Sequence, residues 1–173
     1  MAKKLKDYYD RAYLERLADL IAGECREFDR ETFFELTKRF TSEYCMRPLI
    51  RKYPEESLKI LLDWSRDDNE RVRRLSGECL RIRLPWAKKL YTALEYFEQY
   101  VKILTHLKDD TDKYIQKTAA NNLNDLYKEA PEKFYEIIDT WKKGEIGKEC
   151  EWVIKHGSRT VRKRDSQIGS QTG

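Results

Sequence analysis

The sequence predicts an all-α protein in which antiparallel helix pairs stack as repeats into a right-handed superhelix. Three observations predict it. Apolar residues recur at helical spacing nearly throughout, with no period-2 alternation typical of strands. Only 7 Gly and 4 Pro occur in 173 residues, so few positions interrupt helices. A unit of two helices recurs along the chain, and 40% hydrophobic residues suffice for one continuous core.

The first helix pair is predicted before residue 51. One helix covers about residues 8–24, and Asp29 is placed to cap the next, over residues 34–50. Pro48 is expected to kink this second helix near its end. The first helix gathers its apolar side chains on one face, namely Tyr13, Leu14, Leu17, Leu20 and Ile21.

The middle pair begins at Pro54, a residue favoured in the first turn of a helix. Its first helix carries an apolar run up to Trp64. A polar turn at 67–69 supplies a capping residue, and the second helix is predicted over 70–84, where Pro85 stops it.

The same plan returns after an offset of 43 residues. LKILLDWSRDDNERVRRLSGEC begins at Leu58, and VKILTHLKDDTDKYIQKTAANN begins at Val101, with its second helix over 112–128. A two-helix repeat with a period in the low forties is typical of HEAT-like α-solenoids. A third, less similar unit begins at Pro131. We therefore expect a single domain over 1–160 and a disordered basic and polar tail over 161–173.

Composition limits the classes of partner. With 35 basic and 31 acidic residues, the net charge of +4 permits a local nucleic-acid patch but does not require one. The cysteines form no CxxC pair and are expected to be buried free thiols in a reducing cytoplasm: Cys25, Cys45, Cys79 and Cys150. His106 and His156 match no metal-ligand spacing. Neither a signal peptide nor an apolar run of about 18 residues is present. We expect a soluble cytoplasmic monomer without a metal or a membrane partner.

The second helix of each pair is expected to line the concave surface of such a solenoid. Each one carries a stripe of polar and charged residues: Glu43 with Arg47 on the first, Arg74, Glu78 and Arg81 on the second, and Lys117, Asn121 and Asp125 on the third. Two interpretations stay open. The stripes form one ligand-binding surface, or Glu78 simply pairs with Arg74 and Arg81 as an ordinary helix salt bridge.

Trp86 follows RLP at the point where the chain leaves the middle helix. Its side chain either packs in the core or offers an aromatic face to a cationic ligand. Trp64, Trp141 and Trp152 lie at helical apolar positions and are expected in the core.

Several segments together resemble one family. RRLSGECLRIRLPWA resembles the RRLASEGxRPRLPWA signature of the AlkC-type DNA alkylation repair enzymes, which are related to the AlkD-type glycosylases. KRFTSEYCMRPLIRKYPE is similar to the family's RFTxEFAIRPFL helix, and DDNERVRRL to its PNEHVRRL turn. LKDDTDKYIQKTAANNLNDLYKEAPE is similar to LKDDxSEYVRKSVANNLNDIAKDxPE, and EWVIKHGSRT to WIIKHALRT. The resemblance covers most of residues 5–160.

The resemblance implies HEAT-like repeats curved around duplex DNA and hydrolysis of the N-glycosidic bond of alkylated bases such as 3-methyladenine. Carried over position by position, it places four residues in the catalytic site: Glu43, Glu78, Asp125 and Trp86. It places five basic residues near DNA: Arg47, Arg74, Arg81, Arg83 and Lys117. The polar stripe of the third second helix adds the amide of Asn121 to this set. It requires no metal or organic cofactor.

This chain departs from the family pattern in places. About one N-terminal repeat is missing between Phe33 and Phe34, and Gln116 replaces a basic residue. Cys79 replaces a glycine, Ile82 a proline, and the last helix of the family is altered here. Three functions therefore stay open: an active alkylpurine DNA glycosylase, a shortened relative that binds DNA without catalysis, and a HEAT-type protein-interaction module. Salt-dependent DNA binding and release of the alkylated base distinguish them.

Overall fold

The computed structural model describes residues 43–169, which form nine α-helices and no strand. The all-α prediction is thus confirmed for this part of the chain. The helices are α1 (Glu43–Lys52), α2 (Pro54–Trp64), α3 (Glu70–Glu78), α4 (Thr92–Glu95), α5 (Phe97–Leu107), α6 (Lys113–Glu129), α7 (Pro131–Lys142), α8 (Lys148–Gly157) and α9 (Arg159–Gly169). The predicted helix over 8–24, the cap at Asp29, the junction at Phe33 and Phe34, and residues 34–42 lie outside the described residues.

The two central helix pairs, α2–α3 and α5–α6, follow the predicted repeat. Asn69 caps α3, since its side chain accepts a hydrogen bond from the Arg71 amide at 2.9 Å. Asp112 caps α6 by accepting from the amides of Tyr114 at 2.7 Å and Ile115 at 3.3 Å. Both caps satisfy amides that the first turn of a helix leaves free, so local sequence fixes where these inner helices begin.

The middle inner helix ends earlier than predicted. α3 stops at Glu78, and the segment 79–91 leaves it as a loop, whereas the sequence predicts helix to residue 84. The Arg47 guanidinium accounts for the difference, because its Nη1 donates to the carbonyls of Cys79 at 3.0 Å and Arg81 at 2.7 Å. In a continued helix the Cys79 carbonyl would accept from the Arg83 amide, whereas the Arg81 carbonyl would have no donor, because residue 85 is proline. Arg47 on α1 supplies a donor to both carbonyls instead.

Helix α6 is the centre of the packing, with α3, α5, α7, α8 and α9 against it. Two glycines permit close approach. A Cβ on Gly77 of α3 would lie 2.7 Å from Leu107 Cδ1, and one on Gly157 of α8 would lie 2.8 Å from Leu123 Cβ. Trp64 and Trp141 are buried as predicted, while Trp152 is half-buried with its ring stacked on His156.

The prediction of a disordered tail from residue 161 is wrong for residues 161–169, which belong to α9. Tertiary contacts stabilise this basic helix. Val161 packs against the core, and the Arg164 guanidinium lies 5.3 Å from the centre of the Tyr127 ring. The ordered domain therefore extends beyond residue 160, and residues 170–173 lie outside the described part.

The cysteines of the described residues are free thiols. Cys79 and Cys150 are buried and Cys45 is half-buried, while Cys25 lies outside the described residues. Within residues 43–169, no cluster of side chains could hold a metal ion. No helix in the same range combines the length and the hydropathy needed to cross a bilayer.

Candidate functional site

Three buried carboxylates come from three inner helices. Glu43 on α1, Glu78 at the end of α3 and Asp125 on α6 are 8%, 7% and 3% exposed. Removing a carboxylate from water is costly unless cations or hydrogen-bond donors compensate for it. The donors around each acid therefore show how far its charge is compensated within the protein.

Arg81 bridges two of the acids. Its Nη1 donates to Glu78 Oε1 at 2.9 Å, and its Nε donates to Asp125 Oδ2 at 3.0 Å. Burial raises the pKa of Asp125, and the ion pair with Arg81 limits that rise. Arg81 is itself 8% exposed. We therefore revise the expectation that Arg81 contacts DNA: the structure places it between two acids.

Glu78 receives a second donor from α6. The hydroxyl of Thr118 donates to Glu78 Oε2 at 2.7 Å, so each oxygen of this carboxylate already accepts one bond. The predicted ordinary helix pair is half right. Arg81 does pair with Glu78, but the ion pair of Arg74 joins it to Glu43 on α1.

Glu43 is less fully compensated than Glu78. Its Oε1 lies 3.5 Å from Arg74 Nη2, while its buried Oε2 has no hydrogen-bond partner among the described residues. A buried carboxylate oxygen without a donor is uncommon, because the lost hydration is not replaced. Within residues 43–169, Glu43 Oε2 is thus a free acceptor.

Tyr44 connects these acids with the loop after α3. Burial raises the pKa of its phenol, and the charge of Glu43, followed by that of Glu78, raises it further. The phenol of Tyr44 therefore lies within electrostatic range of both carboxylates. The Tyr44 hydroxyl donates to the Pro85 carbonyl at 2.7 Å, next to Trp86.

Trp86 is displayed rather than packed. It is 77% exposed, and its φ of 59° lies in the left-handed region, which is strained for a bulky residue. The loop around it is held firmly, because Arg47 Nη2 donates to the Lys88 carbonyl at 2.5 Å and the Leu90 amide donates to the Ile82 carbonyl at 3.1 Å. Trp86 therefore does not pack in the core, and its contact with a cationic ligand stays a prediction.

Arg47 is 2% exposed, and its guanidinium binds main-chain carbonyls of the loop. Burial is the main cause that lowers its pKa to about 10, so it stays charged near neutral pH. With its donors directed at the loop, Arg47 supports Trp86. This role replaces the expected contact with a DNA phosphate.

The other predicted DNA-binding residues lie at or near the surface. The side chain of Arg74 is 29% exposed, and that of Arg83 is 43% exposed and pairs with Glu129 at 2.8 Å. Lys117 is exposed. Asn121 is half-buried and accepts a hydrogen bond from Arg159 at 3.0 Å.

A further group of cations lies beside the acids, on α6, α8 and α9. Burial lowers the pKa of Lys128, and Arg83 and Arg159 lower it further while Asp125 opposes them. Burial likewise lowers the pKa of His156, followed by the charges of Arg159 and Lys117. The positive charges of Lys128, Arg83 and Arg159 thus lie close enough to act on one another, and those of Arg159 and Lys117 act on His156.

Sequence reasoning missed Thr118, Lys128 and Arg159. A signal existed for Thr118, since it lies seven residues before Asp125 and therefore shares its helix face. Arg159 lies on α9, next to the predicted tail, and no periodicity points to it.

Two sequence comparisons match the chain to known proteins. Residues 36–159 match the family model described as DNA alkylation repair enzyme. Over 128 residues the chain is 37% identical to the uncharacterized protein YhaZ of Bacillus subtilis (strain 168), covering 74% of this chain and 35% of YhaZ.

Solved structures give the same picture. The chain resembles the Pseudomonas fluorescens alkylpurine DNA glycosylase AlkC bound to DNA containing an abasic site analog, with a TM-score of 0.71 and 29% identity over 88% of this chain and 43% of that one. AlkD2 from Streptococcus mutans matches with a TM-score of 0.58 and 22% identity, over 91% of this chain and 86% of AlkD2, and supports the fold alone. The predicted HEAT-like helical repeat is thereby confirmed. The chain spans less than half the length of YhaZ and of the AlkC chain.

Proposed function

The chain belongs to the DNA alkylation repair enzyme family, and from that premise we propose that it hydrolyses the N-glycosidic bond of alkylated, cationic bases such as 3-methyladenine in duplex DNA. The family predicted from the sequence motifs is thereby confirmed. The observation that carries the proposed activity is the set of three buried carboxylates on three inner helices, with an exposed tryptophan on the loop that follows the helix of Glu78.

The chemistry explains why acids are required. Alkylation at a ring nitrogen gives the purine a positive charge, so the base already leaves readily. As the bond breaks, positive charge develops on the sugar, and a water must attack its anomeric carbon. A nearby carboxylate stabilises that charge and accepts the proton of the water. Glu43 is our candidate for this role, because its Oε2 accepts no hydrogen bond from the described residues.

Arg81 holds the carboxylates of Glu78 and Asp125 in fixed positions. From there they stabilise the positive charge that develops on the sugar. Preorganised charges stabilise a transition state without a reorganisation cost. Trp86 offers its face to the cationic base, because a π-system attracts a cation more than a neutral ring. Its high exposure in a strained, well-held loop supports this role.

The surface cations supply contacts to phosphates. Lys128, Arg159 and Arg83 lie near Asp125, and Lys117 lies near His156. Contacts of this kind position a duplex without reading its sequence. All proposed groups come from one chain, so we propose that a monomer acts on each lesion. A DNA substrate and free thiols also fit a cytoplasmic location.

Release of base from alkylated duplex DNA tests the proposal. Glu43→Gln and Glu78→Gln keep the side-chain volume and remove the charge, and each is expected to lower the rate about 100-fold or more. Glu98→Gln is the matched control, since this exposed acid on α5 forms an i,i+4 salt bridge with Lys102 away from the three buried acids. Circular dichroism and urea unfolding confirm that each variant is folded.

The outcome separates the candidate functions. Steep loss of duplex affinity between ~50 and ~200 mM salt, together with release of base, supports the glycosylase. Salt-sensitive binding without release in the wild type leaves a DNA-binding relative. No binding at low salt leaves a protein-interaction module and refutes the proposal.

A further inference from the structure

The contact between α3 and α6 is unusually close at Gly77. A Cβ at this position would lie 2.7 Å from Leu107 Cδ1 and 2.9 Å from Thr118 Cγ2, distances that real Cβ atoms do not show. The absence of that atom lets the Thr118 methyl group lie against the backbone of α3. The hydroxyl of the same side chain then reaches Glu78, the residue after Gly77, and donates a hydrogen bond to it.

Asn122 locks this contact. Its Nδ2 donates to the carbonyls of Gly77 and Thr118, both at 3.0 Å, and its Oδ1 accepts from the Tyr100 hydroxyl at 3.1 Å. Asn122 and Thr118 are 0% and 2% exposed. The position of the Thr118 hydroxyl is therefore fixed by packing on one side and by a buried hydrogen-bond network on the other.

The bond of Thr118 is not the one that a helical threonine ordinarily makes. Thr105 and Thr140 donate to the carbonyl four residues earlier in their own helices, both at 2.8 Å. Thr118 instead donates across the helix interface to Glu78 Oε2 at 2.7 Å. The hydroxyl thus serves a carboxylate of the site rather than its own backbone.

Glu78 is consequently held from two sides. Arg81 occupies one lone pair on Oε1 and Thr118 one on Oε2, and Arg81 is itself fixed by Asp125 at 3.0 Å. Each carboxylate oxygen keeps a second lone pair. The plane of the carboxylate is set, and within residues 43–169 no second donor occupies either oxygen.

We propose that Thr118 is a positioning residue for the proposed base excision, which fixes the orientation of the Glu78 carboxylate through a hydrogen bond across the α3–α6 contact. The inference rests on the proposed function. Thr118 need not touch the substrate. It acts through Glu78, and a small loss of alignment at a reacting group lowers a rate by about tenfold to 100-fold.

Two substitutions separate the hydroxyl from the packing. Thr118→Val keeps the methyl group against Gly77 and removes the donor, whereas Thr118→Ser keeps the donor and removes the methyl group. We expect the valine variant to lose about tenfold or more in kcat, with KM and duplex affinity within about twofold of wild type. The serine variant is expected to retain kcat within about threefold. Wild-type kcat in the valine variant overturns the inference, as does equal loss in both variants.

A double-mutant cycle with Glu78→Gln shows whether Thr118 acts through this acid. Adding Thr118→Val to Glu78→Gln is expected to leave kcat unchanged within about twofold. The same four proteins, unfolded in urea, are expected to show coupling of about fivefold or more in the unfolding equilibrium constant. Independent effects in both measurements overturn the inference. A wild-type chain that releases no base refutes the proposed function, and the unfolding cycle then still decides whether Thr118 holds Glu78.

Discussion

Replacing Trp86 tests whether this residue contributes to ligand binding or to the stability of the fold. Removing a buried tryptophan side chain lowers the free energy of unfolding strongly. Trp64 is 1% exposed, and we expect Trp64→Ala to destabilise the protein by about 3–5 kcal/mol. Trp86 is 77% exposed and has the opposite environment. We predict that Trp86→Ala has a small effect on stability and a large effect on base release.

The structure gives the magnitude. With 77% of the residue exposed, about a quarter of a tryptophan surface of roughly 250 Å² is buried. At about 25 cal/mol per Å², the alanine variant loses at most about 1.5 kcal/mol of unfolding free energy. Trp86→Gly loses the same contact but relieves the strain of a φ of 59°, about 1–2 kcal/mol for a residue with a Cβ. Glycine also makes the unfolded chain more flexible, which lowers the unfolding free energy and offsets part of this gain.

Urea unfolding and base release measure the two effects side by side. We expect Trp86→Gly to be at least as stable as Trp86→Ala, and both to release cationic bases about tenfold or more slowly than wild type. Acrylamide should quench the fluorescence of Trp86 before that of Trp64 or Trp141. A stability loss above about 3 kcal/mol for Trp86→Ala, or base release at the wild-type rate, would refute the reasoning.

Two further predictions concern the scaffold. Gly157→Ala places a Cβ 2.8 Å from Leu123 Cβ, which no rotamer change can relieve, so urea unfolding should show a loss of about 1–3 kcal/mol. Gly144→Ala meets nothing within 4 Å and should stay within about 0.5 kcal/mol of wild type; equal effects would contradict the close α6–α8 contact. Burial, and then the charge of Arg66, lower the pKa of His106 below 6.5, so the unfolded chain binds the proton more readily. The free energy of unfolding should therefore fall as the pH falls from about 7.5 through this lowered pKa. The decrease should be smaller in His106→Gln. Identical pH profiles of the two proteins would exclude His106 as the cause.

The geometry around His106 shows why the sequence offers no hint of this linkage. Arg66 can only donate, at 3.0 Å from Nε and 2.7 Å from Nη2 to His106 Nε2, so the ring proton lies on Nδ1 and points to Ser65 Oγ at 2.6 Å. Protonation of Nε2 would break the contact with Arg66. Ser65 and His106 are 41 residues apart in the chain, and only the packing of α2 against α5 brings them together.

Local sequence predicts the acids and their helices well, because helical spacing and capping residues act within a few residues of each other. It predicts Asp125 on the inner helix of its repeat and a capping residue in the turn at 67–69, where the structure has Asn69 as the cap. It does not predict the early end of α3, since the guanidinium that takes the carbonyl of Cys79 lies 32 residues away.

The roles of the basic residues depend even more on distant contacts. A sequence shows that Arg47, Arg81 and Lys117 carry charge, but the first two are buried and only the last is exposed. Burial is decided by which helices pack together. Arg81 meets Asp125 across 44 residues, and no spacing rule links them.

The sequence by itself determined the all-α repeat, the family and the residue types that the proposed chemistry needs. These follow from periodicity, capping and motif, which are properties of neighbouring residues. Only the tertiary structure decided which cations face solvent, that Trp86 is displayed on a strained loop, and that Thr118 holds Glu78. The physical reason is that a side chain's solvation and hydrogen-bond partners come from helices distant in sequence, so they exist only once the helices have packed.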